Sequence, residues 1–238
     1  MTTGLKERTV LVVGRGSGIA RAVGDAALEA GARVIAAGRD RTALQESYRR
    51  TDVTVATVDL TDEGSIEALV SEVGSVDHVV STASARARGT VAELEPDAIL
   101  RSFHTKVVGP IMLAKHFAPT MPPDGSLVLL SGVAALEPDP GFLAVAATNG
   151  AVNTVVRSLA VELAPIRVNA VSPGTVDTGA WDALGEQRKA ELFGRLSAAN
   201  PARRIGTPED VAHAVLFALT NTFMTGVCLP VDGGQPLV

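Results

Sequence analysis

Short apolar runs alternate with longer amphipathic windows along the chain. Seven runs are continuously apolar and rich in β-branched residues, which is typical of strands covered on both faces. They span residues 8–14, 33–38, 53–59, 76–82, 126–131, 166–172 and 226–232. Six helical windows lie between them, at residues 18–30, 41–50, 62–73, 95–121, 144–164 and 207–219. This alternation predicts a doubly wound α/β fold, a seven-stranded parallel sheet with helices on both faces.

The pattern runs without a linker or an internal repeat, so we expect a single domain over residues 1–238. Capping residues mark two helix starts: Asp40 before the second window and the cluster beginning at Thr207 before the sixth. Residues 151–164 carry apolar side chains on more than one helix face, which predicts an oligomer surface.

The only long irregular region covers about residues 178–206. We predict a loop-and-helix insertion there that closes as a lid over a bound ligand. Apolar residues at helical spacing within it would cap an apolar substrate, or would belong to the core or to an oligomer contact. These residues are Trp181, Leu184, Leu192 and Phe193.

The composition is that of an ordinary globular protein, with 46% hydrophobic and 20% charged residues. The net charge of −5 and the lack of a basic run argue against nucleic acid as a partner. No apolar window approaches the ~18 residues that a membrane span needs, and the first residues carry no secretory stretch. The one cysteine, Cys228, excludes an internal disulfide. We therefore expect a cytoplasmic protein that binds a small molecule, with no membrane contact and no metal site.

Glycines recur where the first strand turns into the first helix. Gly14, Gly16 and Gly18 permit a tight turn and let a pyrophosphate approach the amides at the helix N-terminus. The candidate dinucleotide contacts here are Gly14, Arg15, Gly16, Ser17, Gly18 and Ile19. Similar glycines occur in ordinary strand-to-helix turns, so the motif alone leaves that alternative open.

The end of the second strand indicates which nucleotide is preferred. Twenty residues past Gly18, where an NAD-selective site places a carboxylate, the chain has Gly38 followed by Arg39. Arg39, with Arg15 as a second cation, would bind a 2′-phosphate, which predicts NADP(H) over NAD(H). Alternatively, Arg39 is a solvated loop residue. Asp59 would accept a hydrogen bond from the adenine amino group or cap the next helix.

Three later segments carry a family resemblance: RSLAVELAPIRVNAVSPGTVDT (157–178), NPARRIGTPEDVA (200–212) and TGVCLPVDGG (225–234). With the glycine turn they resemble the short-chain dehydrogenase/reductase superfamily over practically the whole chain. The resemblance implies a Rossmann fold, a nicotinamide cofactor, carbonyl or alcohol chemistry and a homodimer or homotetramer. It also implies a structural role for Asn169 and further cofactor contacts. Those contacts are Leu60, Ala83, Asn149, Pro173, Gly174, Val176 and Thr178.

All four catalytic positions that the resemblance implies are substituted. The family uses an Asn, Ser, Tyr and Lys tetrad, and this chain has Lys106, Gly132, Val145 and Asn149 at those positions. No shift in register restores the tyrosine, because the only one, Tyr48, lies in the second helical window. A positioned acid typically contributes ~10²–10⁴-fold and an oxyanion donor ~10²–10³-fold. The family's usual mechanism therefore cannot run at its usual rate.

Lys106 is the candidate replacement for the lost acid. A lysine partly desolvated beside a nicotinamide would have a depressed pKa and would act as a proton donor or an electrostatic stabiliser. Alternatively, its side chain reaches from the helix face to solvent. His104 cannot share the role, because positions two apart on a helix differ by about 200°. Asn149, which can bind ribose hydroxyls without supplying charge, and Ser131 complete the candidate catalytic site.

Three functions fit these observations. The one that we favour is an NADP(H)-dependent oxidoreductase that acts on a carbonyl or alcohol through a rebuilt site. A non-redox enzyme, such as a dehydratase, an isomerase or a cyclase, and a catalytically silent NADP(H)-binding protein are the alternatives. The sequence does not identify the substrate.

Overall fold

The computed structural model describes residues 4–49, 51–137 and 139–238. Within these residues the strands are β1 (Thr9–Val13), β2 (Arg33–Gly38), β3 (Thr54–Thr57), β4 (His78–Ser81), β5 (Ser126–Leu130), β6 (Arg167–Pro173) and β7 (Cys228–Val231). They form one seven-stranded sheet in the order β3-β2-β1-β4-β5-β6-β7. Every neighbouring pair is parallel, which confirms the predicted sheet.

Helices cover both faces of this sheet, as predicted. They are α1 (Ile19–Glu29), α2 (Arg41–Tyr48), α3 (Glu63–Val73), α4 (Pro96–Phe103), α5 (Gly109–Phe117), α6 (Leu143–Glu162), α7 (Glu186–Ala199) and α8 (Pro208–Thr220). One core contains buried residues of α1 and α8, and the core on the opposite face contains those of α3, α5 and α6. Among the described helices, none is both long enough and apolar enough to cross a membrane.

Local capping signals predicted two helix starts correctly. The carboxylate of Asp40 accepts a hydrogen bond from the amide of Ala43 (2.9 Å) and caps α2. Thr207 and Asp210 form a reciprocal capping box at the start of α8. Position 50, the predicted last residue of the second helix, lies outside the described residues.

The helical window predicted over residues 95–121 is helical in the structure from Pro96 to Thr120, but it is not one regular α-helix. α4 passes into a π-helical turn, His104–Val108, before α5 begins. Pro110 explains the change, because it has no amide hydrogen for an i→i−4 bond and its ring would collide with the carbonyl of residue 106. The amide of Gly109 instead donates to the carbonyl of His104, five residues earlier. This wider turn carries Lys106.

The insertion between β6 and α8 is only partly packed. It contains a 3-10 turn (Asp182–Leu184) and α7, in which no residue is buried. The predicted apolar stripe is not one helix face, because Gly185, at φ 78°, separates Trp181 from α7. Trp181 still contacts Phe193 edge-on, with ring centroids 6.4 Å apart. Closure of this segment over a ligand stays a prediction.

Candidate active site

The strand order reverses at β1, so a crevice is expected where β1 and β4 end side by side. Val13 at the end of β1 pairs with Ser81 at the end of β4. The predicted glycine turn begins at this edge, with the side chains of Arg15 and Ser17 exposed on it. No described side chain caps α1, whose N-cap is Gly18. The first amides of α1 therefore remain available to an anion such as a pyrophosphate.

Close packing requires glycine at both ends of this turn. A Cβ at Gly14 would lie 2.3 Å from Oγ1 of Thr82, and one at Gly18 would lie 2.9 Å from Cβ of Thr178. Gly18 also has a φ of 54°, in the left-handed region that favours glycine. The turn thus holds Thr178, at the start of the insertion, against the predicted pyrophosphate position.

A carboxylate side chain has no room at the end of β2. A Cβ at Gly38 would lie 2.3 Å from the main-chain oxygen of Gly14. No side-chain rotation relieves such a contact, because the opposing atom belongs to the backbone. Arg39 follows with an exposed side chain. The acid of an NAD-selective site is therefore sterically excluded at this position.

Asp59 is not the cap of the third helix, because the N-cap of α3 is Asp62. Its carboxylate accepts hydrogen bonds from the amide (2.9 Å) and the hydroxyl (2.8 Å) of Thr61. These hydrogen bonds, and to a smaller extent the charge of Arg39, lower the pKa of Asp59. Asp59 thus presents an anionic acceptor near Arg39, while its contact with an adenine stays a prediction.

Lys106 is buried, with 8% of its surface exposed, so the alternative of a lysine reaching solvent is wrong. Its Nζ donates a hydrogen bond to the main-chain oxygen of Ser131 (3.0 Å). His104 is exposed, as its position two residues earlier predicted. Burial, and then the positive charge of Arg86, lower the pKa of the Lys106 amine to about 7. This amine can therefore gain and lose a proton near neutral pH.

Asn149 lies directly over Gly132. Its Nδ2 donates to the main-chain oxygen of Gly132 (3.1 Å), and a Cβ at Gly132 would lie 2.8 Å from that nitrogen. Asn149 is 2% exposed, and its Oδ1 has no hydrogen-bond partner among the described residues. A buried acceptor without a donor is costly, so this oxygen suits a hydroxyl group of a bound ligand. Val145, at the tyrosine position, is also buried.

The hydroxyl of Ser131 is hydrogen-bonded to other groups of the protein. It lies 3.1 Å from the main-chain oxygen of Asn149 and 2.7 Å from Oδ1 of Asn153. These contacts join the end of β5 to α6, so Ser131 positions other groups instead of touching a substrate through its hydroxyl. Sequence analysis overlooked Asn153, although its i,i+4 spacing from Asn149 places both on one helix face.

Several other residues predicted to contact the cofactor also have a role in packing. Leu60 lies against Gly109, where a Cβ would approach its Cβ to 2.6 Å. A Cβ at Gly174, just after Pro173, would lie 2.7 Å from Cα of Asp232. Ala83 packs against the core, and Val176 pairs with Gly206 at the base of the insertion. Their contacts with a cofactor stay predictions.

Two arginines in the loop between β4 and α4, Arg86 and Arg88, were not among the residues predicted for the site. The charge of Arg86 helps to lower the pKa of Lys106, and the pKa of Arg86 is itself lowered by burial and then by the charges of Arg88 and Arg15. The four cations therefore lie along one region of the molecule. Their signal was the ARARG segment directly after the fourth strand, in a chain of net charge −5.

A comparison with known protein families identifies the family to which this chain belongs. The family model described as enoyl-(acyl carrier protein) reductase matches residues 13–235. The chain belongs to the short-chain dehydrogenase/reductase family. The resemblance seen in the sequence is thereby confirmed, and the fold is one that binds a nicotinamide cofactor.

Members of this family are similar to the chain over almost its whole length. A relative, 2-(S)-hydroxypropyl-CoM dehydrogenase 3 from Xanthobacter autotrophicus, is 31% identical over 255 residues, with 100% of each chain covered. The structure of MalC reductase/Diels-Alderase from Malbranchea aurantiaca matches with a TM-score of 0.90 and 30% identity, covering 98% of this chain and 97% of that one.

A third similar protein carries a bound nucleotide. It is a short chain oxidoreductase from Pseudomonas aeruginosa PAO1, with a TM-score of 0.88, 28% identity and 97% of each chain covered. That structure is NADPH-bound and is described as containing an atypical catalytic center. Similarity over the full length places this chain among oxidoreductases of the family.

Proposed function

We propose that this protein is an NADP(H)-dependent oxidoreductase for a carbonyl or alcohol substrate, with Lys106 in place of the family's proton donor. The observation that carries the proposal is the buried Lys106 amine, held 3.0 Å from the carbonyl of Ser131, next to the vacated serine position at Gly132. A buried amine with a pKa of about 7 is matched to proton transfer at neutral pH.

The residues present fit the cofactor that the family implies. Oδ1 of Asn149 is a buried acceptor without a described partner, suited to a ribose hydroxyl. The uncapped N-terminus of α1 suits the pyrophosphate. Arg39 and Arg15 are exposed cations at the end of β2 and in the glycine turn, suited to a 2′-phosphate. When bound, the nicotinamide supplies or accepts the hydride.

In this proposal the protonated Lys106 stabilises negative charge on the substrate oxygen and donates a proton to it. The carbonyl of Ser131 orients the amine, because it accepts one of the three Nζ hydrogens and leaves two for a substrate. Asn149 and Asn153 hold Ser131 in turn. The arrangement supplies an acid and a positive charge, two of the functions lost with the tetrad.

Following NADPH absorbance with a panel of aldehydes and ketones tests the proposal. Oxidation of NADPH that depends on a carbonyl compound supports it. A second candidate is a non-redox enzyme, favoured by the full-length similarity to a protein described as a reductase/Diels-Alderase. A defined product without any absorbance change would favour that candidate. If neither NADPH oxidation nor a product is observed, a silent NADP(H)-binding protein is favoured.

The reaction rate is expected to follow the protonation of Lys106. For carbonyl reduction, kcat/KM should be level at low pH and fall about tenfold per pH unit above about 7, because the neutral amine has no proton to donate. Alcohol oxidation should show the opposite trend. Arg86→Gln should move the inflection to higher pH, because it removes a charge that lowers the Lys106 pKa. An inflection that stays in place in this variant would contradict the assignment.

Selectivity for NADPH is expected to depend on Arg39. NADPH should bind at least about tenfold more tightly than NADH in fluorescence titrations. Arg39→Ala should cost about 1.5–3 kcal/mol for NADPH and little for NADH. Arg41→Ala is a matched control, since Arg41 is exposed and paired with Glu72 (3.4 Å). Equal affinities of the two nucleotides in the unchanged protein would refute the preference.

We also propose that the protein is a homodimer or homotetramer that uses α6. Val161 of this helix is 82% exposed and belongs to the apolar positions of residues 151–164 that predict an oligomer surface. Sedimentation should therefore show an oligomer at micromolar concentration. Val161→Glu should weaken it without lowering the stability of the fold. A monomer at that concentration would rule the surface out.

A further inference from the structure

Arg88 forms a stack at the edge of the candidate active site. Its guanidinium carbon lies 4.6 Å from the ring centroid of Phe142, the N-cap residue of α6, and 5.4 Å from that of Trp181 in the insertion. We call these three residues the Arg88 clasp. A guanidinium held by cation–π contacts with two rings keeps N–H groups that can bind a carboxylate.

A cavity of about 450 Å³ opens beside the Arg88 clasp. Its wall is mostly apolar and is formed by Gly89, Thr90, Val91, Asp139, Pro140, Gly141, Phe142, Leu143 and Ala146. The amide of Gly89 donates to the carbonyl of Gly141 (3.1 Å), which joins the two loops that form this wall. Ala146 and Leu143 place one side of the cavity on the first turns of α6, the helix that also carries Val145 and Asn149. Its volume is that of a small-molecule site.

Two arginines, Arg86 and Arg88, lie in the loop that leads to Gly89 of the cavity wall, and neither has a carboxylate partner within the described residues. Neither Arg86 nor Arg88 makes an ion pair there, although the protein as a whole is acidic. The carboxylate of Glu93 is already bound by the amide (2.8 Å) and hydroxyl (2.9 Å) of Thr90. Asp139 is exposed in the cavity wall and is the one carboxylate among the described residues that line it.

We propose that this cavity binds the substrate, and that the substrate is an organic carboxylate with an apolar body whose anionic group is bound by Arg88 and Arg86. The chemistry of this proposal rests on the proposed function, because the carbonyl of the substrate faces Lys106 while its body fills the cavity. Binding of the carboxylate to the N–H groups holds the guanidinium still in its contact with Trp181, and so stabilises that position of the insertion. Substrate charge is thus coupled to closure of the insertion.

Binding of a matched pair of probes tests the anionic group without requiring catalysis. Hexanoate and hexanamide have nearly the same shape and differ in charge. In calorimetry with saturating NADP⁺, hexanoate should bind at least about tenfold more tightly than hexanamide. It should also change the emission of Trp181, the only tryptophan of the chain. Equal affinities, or no binding of hexanoate, would overturn the proposal.

Substitutions at Arg88 test whether the preference for hexanoate over hexanamide depends on the Arg88 clasp. Arg88→Gln should remove the preference for hexanoate, and Arg195→Gln, which changes an exposed arginine of α7, should keep it. If Arg88→Gln does not fold, Arg88→Lys replaces it and should weaken hexanoate severalfold, because an ammonium lacks two parallel donors. A preference that survives in Arg88→Gln, or an unchanged affinity for hexanoate in Arg88→Lys, would overturn the proposal. Binding of hexanoate that occurs only in the absence of NADP⁺ would also overturn the proposal. In that case the arginines bind the phosphates of the cofactor, and hexanoate only occupies their place.

Turnover separates this inference from the proposed function. NADPH oxidation with 5-oxohexanoate should exceed that with its methyl ester at least about tenfold in kcat/KM. Selective binding of hexanoate without any NADPH oxidation would support the anion site and contradict the redox function. Equal oxidation of acid and ester would support the redox function and overturn the anion site.

Discussion

Lys106→Met is expected to abolish turnover and, at the same time, to stabilise the fold. Turnover should fall by about 10²–10⁴-fold, the usual contribution of a positioned acid. The free energy of unfolding should rise by about 1–3 kcal/mol near neutral pH, because methionine keeps the length of the side chain and has no charge to bury. For a chain of this size the gain corresponds to a Tm higher by about 3–10 °C.

The pH dependence of that stability gain follows from the Lys106 pKa. The amine has a pKa of about 7 in the folded protein, against its ordinary value of 10.5 in an unfolded chain. Between these values the unfolded chain holds the proton that the folded chain has released, so the stability of the unchanged protein rises with pH. The advantage of Lys106→Met should therefore be greatest below pH 7 and shrink toward pH 10.5.

Lys115→Met is the matched control for this variant, because Lys115 is exposed and pairs with Glu63 (2.6 Å). It should change neither turnover nor the unfolding free energy by much, as is usual for surface ion pairs. Chemical unfolding at several pH values and fluorescence titration of NADPH complete the test. Unchanged turnover in Lys106→Met, or a loss of NADPH affinity as large as the loss of turnover, would contradict the role of Lys106.

Rebuilding the family's tetrad is expected to create reduction of a simple ketone. The variant combines Gly132→Ser, Val145→Tyr and Asn149→Lys, and its activity should improve further on adding Lys106→Asn. The last change is needed because two amines in one buried site would oppose each other's protonation. We expect the fourfold variant to exceed the same variant without an acid at position 145 by about 10²–10⁴-fold in NADPH-dependent turnover of the ketone.

Two of these substitutions must be made together. A Cβ at Gly132 would lie 2.8 Å from Nδ2 of Asn149, so Gly132→Ser alone should destabilise the protein. With Asn149→Lys the amide is gone, and a double-mutant cycle should show a favourable coupling between the two sites. Additive effects would contradict the packing of Asn149 over Gly132.

The matched control for the rebuilt tetrad carries Val145→Phe in place of Val145→Tyr. It fills the same space but lacks the hydroxyl, so it should gain little activity. NADPH binding and thermal unfolding show whether each variant is folded. The decisive result is a fourfold variant that is folded and binds NADPH but reduces no ketone. The substrate cleft then differs in shape from that of a ketone reductase, and a non-redox or silent function replaces the oxidoreductase proposal.

The sequence alone predicted the sheet, because continuous apolar runs and helical periodicity are local signals. It also predicted the caps at Asp40 and Thr207, since a capping side chain bonds to amides only two or three residues away. The replacement of the tetrad stays a prediction from the family resemblance, in which motifs on both sides of each position leave little freedom in the alignment.

Only the tertiary structure decided the state of the candidate site residues. Whether Lys106 reaches solvent or is buried depends on Ser131 and Arg86, which other elements bring to it. The hydroxyl of Ser131 donates to Asn153 of α6. Arg88 contacts Trp181, which lies far from it in the sequence. Desolvation and Coulomb interactions sum over neighbours that are far apart in the chain. A single sequence read residue by residue does not contain those neighbours, so the chemistry of Lys106 is a property of the assembled fold.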